Sequence, residues 1–335
     1  MANNDTRTRA FETAANHKRK FKSKRRIRQQ VVISIFVVIA LILIVFATLI
    51  IGKIITIKNT ETPPEAPIYS VELDESAIHS GNLLLIKDNS KYSLPLDLSE
   101  MIKISDYREE TSNAASTQIN GKYTYALTYK RICLSKDTLD AFNKMILDYC
   151  NSPEFTPTNN EVVSNLEIGW GGYSEATRGE YQTDIERKDF YDHGLGTTLT
   201  LKNADYHTRI SEEDFKNNYG WLYNNAYKYG FILRYPNACQ NHTDFNSSET
   251  IHLRYIGVEH ATYIHENGCC LDEYLKTIRE QYSYNNPLEF TANGKTYNVY
   301  YVEYSGNPTN VPIPQDKNYY ISGDNMNGFI VTVEK

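Results

Sequence analysis

Between Val31 and Gly52 the sequence contains no charged residue at all, and that absence excludes an ordinary solvent-exposed helix for this stretch. Its twenty-two residues, VVISIFVVIALILIVFATLIIG, would span about 33 Å as a helix, against about 30 Å for a bilayer's hydrocarbon core. No small-residue cleavage site follows it, and the run is longer than the apolar stretch of a secretory leader, which favours an uncleaved anchor. Internal repeats and low-complexity blocks are also missing, which excludes solenoid and array architectures. Cysteine is scarce, at five residues, all after the apolar run; an odd number leaves at least one thiol outside any set of internal disulfides.

What is present is unevenly placed. Residues 1–30 hold ten of the chain's 35 Lys/Arg and only two of its 41 Asp/Glu, so the remainder is strongly acidic. A basic flank on the amino side of an apolar span orients it with residues 1–30 in the cytoplasm and the rest outside. Beside a membrane segment such a run is an orientation signal that also meets anionic lipid, and no nucleic-acid partner is expected. Thr56 to Ser70, polar and proline-bearing, is expected to be an unpacked stalk. Leu83 to Ile86 is predicted as the first buried strand. A helix is predicted from Ser135, with Leu139, Phe142, Ile146 and Tyr149 on its apolar stripe. A second helix is predicted over 211–229, with Ser211 and Asp214 at capping-box spacing and Gly230 as its stop. A strand follows at 231–235, Asn293-Gly294 marks a tight hairpin, and Phe329 to Val333 reads as a closing strand.

The segment from Gly220 to Leu275, GWLYNNAYKYGFILRYPNACQNHTDFNSSETIHLRYIGVEHATYIHENGCCLDEYL, carries a specific pattern. It resembles the VanY-type D-alanyl-D-alanine carboxypeptidases, whose pattern runs approximately W-L-x-x-N-A-x-x-Y-G-F-I-x-R-Y-P, then E-P-W-H-x-R-Y-V-G, then H-A and L-E-E-Y-L. Gly81 to Asn89 resembles the family's opening strand and Leu166 to Ile168 another of its strands, so the likeness covers roughly residues 78–280. The ending, from Ile321 to Val333, resembles an extension found on some members. The resemblance implies an α+β, VanY/hedgehog-like zinc carboxypeptidase fold, preceded by one transmembrane helix and followed by a small β-rich extension. The organisation expected is a cytoplasmic basic tail (1–30), a transmembrane helix (31–53), a stalk (54–77), the carboxypeptidase-like domain (78–280) and the extension (281–335).

Such proteins use zinc to remove the terminal D-alanine from peptidoglycan stem peptides. Metal-assisted amide hydrolysis needs three protein ligands, an open position for water and a carboxylate to take the water's proton. In the family the first two ligands come from H-x-x-G-x-A-x-D, and the base and third ligand from E-P-W-H. The first motif falls on His193 to Thr200, where His193 and Gly196 match but Thr200 stands at the aspartate position. The second falls on Glu249-Thr250-Ile251-His252, which keeps the base, Glu249, and the ligand, His252. The family's S-G-Y-R-S run, whose arginine can grip the peptide's terminal carboxylate, falls on Gly171 to Glu175. Tyr173 matches there, Ser174 takes the arginine's place, and Arg178 lies close by.

A neutral hydroxyl is a poor zinc ligand, so the resemblance implies zinc if the protein is active and no cofactor otherwise. Three functions follow. One is a degenerate relative that binds stem peptides with lost or weakened catalysis. Another is an active zinc enzyme whose third ligand comes from Asp205 or Asp192. The third is a cell-surface scaffold worked by its anchor and extension. Arg234, Tyr235 and Arg254 read as residues bracing the cleft. Cys239, His242, Cys269 and Cys270 fit no familiar zinc spacing, and the Cys269-Cys270 pair reads as one disulfide partner and one buried thiol.

Overall fold

The computed structural model describes residues 69–86, 101–110, 116–156, 161–173, 191–239 and 250–335. The charge-free run at 31–52 lies outside them, and no helix among the described residues is long and apolar enough to cross a membrane.

At the centre is a mixed sheet in the order Phe231–Leu233, His252–Tyr255, Thr198–Asn203, Leu166–Trp170, Ala126–Leu127, with Thr208–Arg209 paired beside Thr198–Asn203. The Ala126–Leu127 strand runs parallel to its neighbour and the other pairings are antiparallel. Strand side chains alternate between faces, and directly paired residues share one. Leu253 pairs with Leu199 and Ile168 with Leu201, so these four share a face, and all are fully buried. Against that face packs the helix Lys136–Cys150, through Leu139, Phe142, Met145 and Ile146. Ser135 stands at its N-cap with extended backbone, although its hydroxyl bonds Thr138 Oγ1 at 2.7 Å and not a backbone N–H. The opposite face is polar: His252 pairs with Thr200, Arg254 with Thr198 and Glu167 with Lys202.

The helix expected over 211–229 is broken into Glu212–Asn218, Gly220–Asn225 and a 3-10 turn at Ala226–Tyr229. Tyr219, at φ −127° and ψ 42°, leaves helical geometry immediately before Gly220, a weak helix former. Both ends behave as the spacing implied: Ser211 Oγ accepts from Asp214 N at 3.1 Å, and Gly230 closes the segment at φ 87°. The run Leu83–Leu85 is buried but is not a strand. Its backbone is satisfied elsewhere: Leu83 N donates to Ser322 Oγ, Leu85 N to the Asp324 carbonyl, and the Arg254 guanidinium donates to the carbonyls of Asn82 and Leu84.

The C-terminal part forms a four-stranded antiparallel sheet in the order Leu288–Ala292, Lys295–Glu303, Gly328–Glu334, Tyr319–Gly323, opened by the hairpin at Asn293-Gly294 with both residues at positive φ. The far end of the expected stalk is not free of packing. Tyr69–Leu73 forms a strand paired with Thr309–Ile313, and Ile78 joins Tyr300, Val311, Phe329 and Val331 in an apolar cluster.

This sheet is tied to the neighbouring helices, Val258–Asn267 and Leu271–Gln281, through the fully buried His260. His260 Nδ1 lies 2.6 Å from Tyr274 OH, and Nε2 lies 2.5 Å from Tyr320 OH and 3.1 Å from Thr332 Oγ1. Burial pushes its imidazole down to about 4, against the pull of the adjacent Glu259 carboxylate. The unfolded chain, with this group near its ordinary 6.5, therefore takes up the proton first as pH falls. Stability is intact above that value and declines as pH descends from it towards 4, by about 2 kcal/mol for this group at about pH 5. Urea midpoints at about pH 7.5 and about pH 5 should show His260→Gln losing about 2 kcal/mol less than the parent chain. Equal losses would refute this assignment.

Candidate functional site

The site grows from the polar face of the central sheet. Thr200 and His252 are direct partners on adjacent strands, so their side chains emerge side by side. His193 arrives from the short helix Tyr191–Gly194, which turns into the Thr198–Asn203 strand through Gly196. Gly196 sits at φ 67°, and a Cβ there would lie 2.3 Å from Met101 Sδ, so this tight turn requires glycine. The turn brings the His193 and His252 rings to 5.3 Å between centroids, with the Tyr235 ring 5.4 Å from His252 on another side.

His252 is set up as a donor of one lone pair. Its Nδ1 donates to the Thr250 carbonyl at 2.9 Å, which leaves Nε2 as the unprotonated nitrogen in the neutral tautomer. Burial, reinforced by His193 beside it, pushes this imidazole down to about 3, against the hydrogen bond to Thr250. It is neutral at physiological pH, the form a metal or a hydrogen-bond donor requires.

Beneath the histidines lies an ion cluster. Asp192 is buried and accepts from Arg234 Nε at 2.8 Å, Tyr235 OH at 2.8 Å and Arg254 NH1 at 3.0 Å. Arg234 also donates to Asp272 at 2.7 Å, so two guanidinium groups meet two carboxylates. Burial alone would raise the Asp192 carboxyl, but Arg234, Arg254 and the Tyr235 hydroxyl outweigh it and hold it below the usual carboxylate range. Arg234, Tyr235 and Arg254 converge on one anion, Asp192, next in sequence to His193.

That commitment corrects the idea that Asp192 supplies a third ligand, since both its oxygens are occupied by the arginines and the tyrosine. Asp205 does not serve either: it is exposed on the turn after Asn203, its backbone N–H bonded to the Asn165 and Asn203 side chains. Thr200 is 3% exposed, and its hydroxyl has no hydrogen-bond partner among the described residues. Gly169 makes room for it, because a Cβ there would come within 2.9 Å of Thr200 Oγ1. Among the described residues, the one convergent trio of metal-type donors is Cys239, Cys270 and Glu273. There the two sulfurs are already joined as a disulfide, which leaves Cys269 as the thiol of its pair and agrees with the absence of a familiar zinc spacing among these cysteines. Among the described residues, two imidazoles and a neutral hydroxyl fall one strong ligand short of the three that a catalytic zinc site uses, and so do not fit a resident zinc ion.

Tyr173 is buried beside this site, following Gly172, whose missing side chain lets it approach Gly196 and the His193 carbonyl. Glu249, Ser174, Arg178 and His242 lie outside the described residues. Two features had gone unread in the sequence. One is the role of Asp192 as the hub of the arginine cluster, for which the signal was an aspartate adjoining a candidate ligand upstream of two strand arginines. The other is a polar extension of the same face through Lys202 and Glu167.

Comparison with known proteins agrees with this architecture. The family model described as VanY, D-alanyl-D-alanine carboxypeptidase, matches residues 181–258, which include His193, Thr200 and His252. A D-alanyl-D-alanine carboxypeptidase of Enterococcus faecium is 29% identical over 276 residues, covering 78% of this chain and 78% of that protein. Another, from Enterococcus faecalis, is 36% identical over 107 residues, 32% of this chain and 38% of its own length. The vancomycin-resistance D,D-dipeptidase VanXYg, solved with a D-Ala-D-Ala phosphinate analogue, has the same fold, with a TM-score of 0.59 at 21% identity over 81% of this chain and all of that one. The fold is thus the mixed α+β architecture of these peptidases, and residues 181–258 match the VanY-type D-alanyl-D-alanine carboxypeptidase model.

Proposed function

We propose that this chain is a membrane-anchored, extracytoplasmic protein of the VanY-type carboxypeptidase family that binds peptidoglycan stem peptides ending in D-Ala-D-Ala, with zinc catalysis lost or greatly weakened. The anchor reading rests on the charge-free run and its basic amino-side flank, which set residues 1–30 in the cytoplasm and the folded domain outside the cell. The peptide reading rests on kinship with carboxypeptidases named for that substrate.

One observation carries the catalytic part: Thr200, buried, its hydroxyl without a hydrogen-bond partner among the described residues, is the strand partner of His252, where the family pattern has an anionic ligand. The paired histidines, the neutral tautomer of His252 and the Asp192 cluster support a site that holds a peptide end without cutting it.

The test is to incubate the purified full-length chain with zinc and a pentapeptide ending in D-Ala-D-Ala, and to follow both binding and free D-alanine. Saturable binding with release at the level of the uncatalysed control is expected. D-alanine release that disappears in Glu249→Ala would overturn the proposal in favour of an active enzyme.

A further inference from the structure

Three cysteines meet where the helix Val258–Asn267 passes into the helix Leu271–Gln281 through the short link Gly268-Cys269-Cys270. Cys270 is bonded to Cys239, and Cys269 carries a free thiol. Cys239 and Cys269 line one cavity of about 300 Å³, among apolar side chains such as Leu233 and Ile264. Cys269 is the half-buried sulfur of the three, whereas Cys239 is 5% exposed and Cys270 1%.

Cys269 is within reach of Cys239. The Cα atoms of Cys239 and Cys270 are 6.1 Å apart, and consecutive Cα atoms are separated by about 3.8 Å, so Cys269 Cα lies within about 10 Å of Cys239 Cα. A shift of about 3 Å at most brings it inside the ~6.8 Å that a disulfide spans. The link is loosely held: Cys269 N meets the Ile264 carbonyl at 3.3 Å and Gly268 N the His265 carbonyl at 3.4 Å, both longer than the usual ~2.9–3.0 Å. Cys270 is also placed to leave. Its Sγ caps the following helix by accepting the Glu273 backbone N–H, so a thiolate released there sits at the positive end of an eleven-residue helix. The Glu273 carboxylate, 3.1 Å from the sulfur, opposes that charge in part.

We propose that Cys269 exchanges with Cys270 for the bond to Cys239, so that the disulfide moves between Cys239–Cys270 and Cys239–Cys269. The Cys269 thiol gives its proton to solvent and its sulfur forms a bond to Cys239 Sγ. The Cys239–Cys270 bond breaks with its electron pair on Cys270 Sγ, which takes up a proton. Nothing is oxidised or reduced overall, so no further reagent is required. The consequence falls on the ion cluster under the histidines. The disulfide staples the segment after Arg234 to the start of the helix that carries Asp272, and Arg234 donates to Asp272 across that staple. Moving the bond by one residue releases the first turn of this helix and loosens the hold of Asp272 on Arg234.

The test holds the full-length chain at about pH 8.5, where an ordinary thiol is half ionised, then quenches it in acid and alkylates its free thiols in denaturant. Fragment mass spectra should place the label on Cys269 in most molecules and on Cys270 in a minor fraction. The Cys270→Ala chain should carry a Cys239–Cys269 disulfide, and within it Asp272→Asn should shift the urea midpoint less than in the parent chain. Label confined to Cys269 in the parent chain, or reduced Cys239 and Cys269 in a Cys270→Ala chain that still unfolds cooperatively, would overturn the exchange. Should Cys270→Ala fail to fold, the labelling of the parent chain decides. Equal midpoint shifts would overturn the link to the ion cluster.

Discussion

Thr200→Asp is expected to turn a weak metal locus into a tight one. The substitution places a carboxylate beside His252, where the structure has a buried hydroxyl lacking a hydrogen-bond partner among the described residues. Loss of a partner that merely orients a ligand commonly costs 10–100-fold in metal affinity, so gain of a ligand itself should raise zinc affinity by at least about 100-fold. A second signature follows from burial. Without metal, the new carboxylate faces the neutral His252 in a site that water barely reaches, and the variant should be less stable than the parent by about 2–5 kcal/mol. Zinc at about 100 times its dissociation constant should return about 2.7 kcal/mol of that loss. Thermal melts with and without zinc, alongside titration against a chromogenic chelator, check both effects. A variant whose affinity and melting match the parent's would show that Thr200 does not stand at the ligand position.

The second large effect concerns the cluster under the histidines. Asp192→Asn keeps the shape of the side chain but removes the charge that both Arg234 and Arg254 address. Both guanidinium groups are about 1% exposed or less, and a buried cation left without its partner costs about 3–5 kcal/mol. Asp272→Asn should cost less, because Asp272 meets Arg234 alone and is slightly more exposed. Urea denaturation of the three chains at neutral pH gives the comparison. A loss below about 1 kcal/mol for Asp192→Asn would mean that the arginines find other anions and that the cluster does not brace the site.

Sequence reading succeeded where the physics is local. Ser135 at the start of its helix, Gly230 at the left-handed stop and Asn293-Gly294 in the tight hairpin each follow from what one residue's backbone can adopt, and the structure has all three. It failed where the outcome depends on a distant partner. Leu83–Leu85 has a strand's composition, but its backbone groups are taken by Ser322, Asp324 and Arg254, so it is buried without joining a sheet. The end of the stalk looked unpacked because its partner, Thr309–Ile313, is far along the chain. The adjacency of Cys269 and Cys270 gave no hint that Cys239 would pair with the second.

The site divides in the same way. Its motifs marked His193, Thr200 and His252, but spacing could not show that Asp192 spends its charge on two arginines rather than on a metal. That depends on strand register, which sets Arg254 opposite Thr198 and so beneath the histidines. Trp170 was invisible for the same reason: it joins the site as the strand partner of Thr200 and not as a member of a motif.

The account stands or falls on how strongly these histidines hold a cation. Elemental analysis of the purified full-length chain, loaded with excess zinc and dialysed against a moderate chelator, should find far less than one zinc per chain, while Thr200→Asp treated alongside retains close to one. Stoichiometric zinc surviving the chelator in the unmodified chain would contradict it.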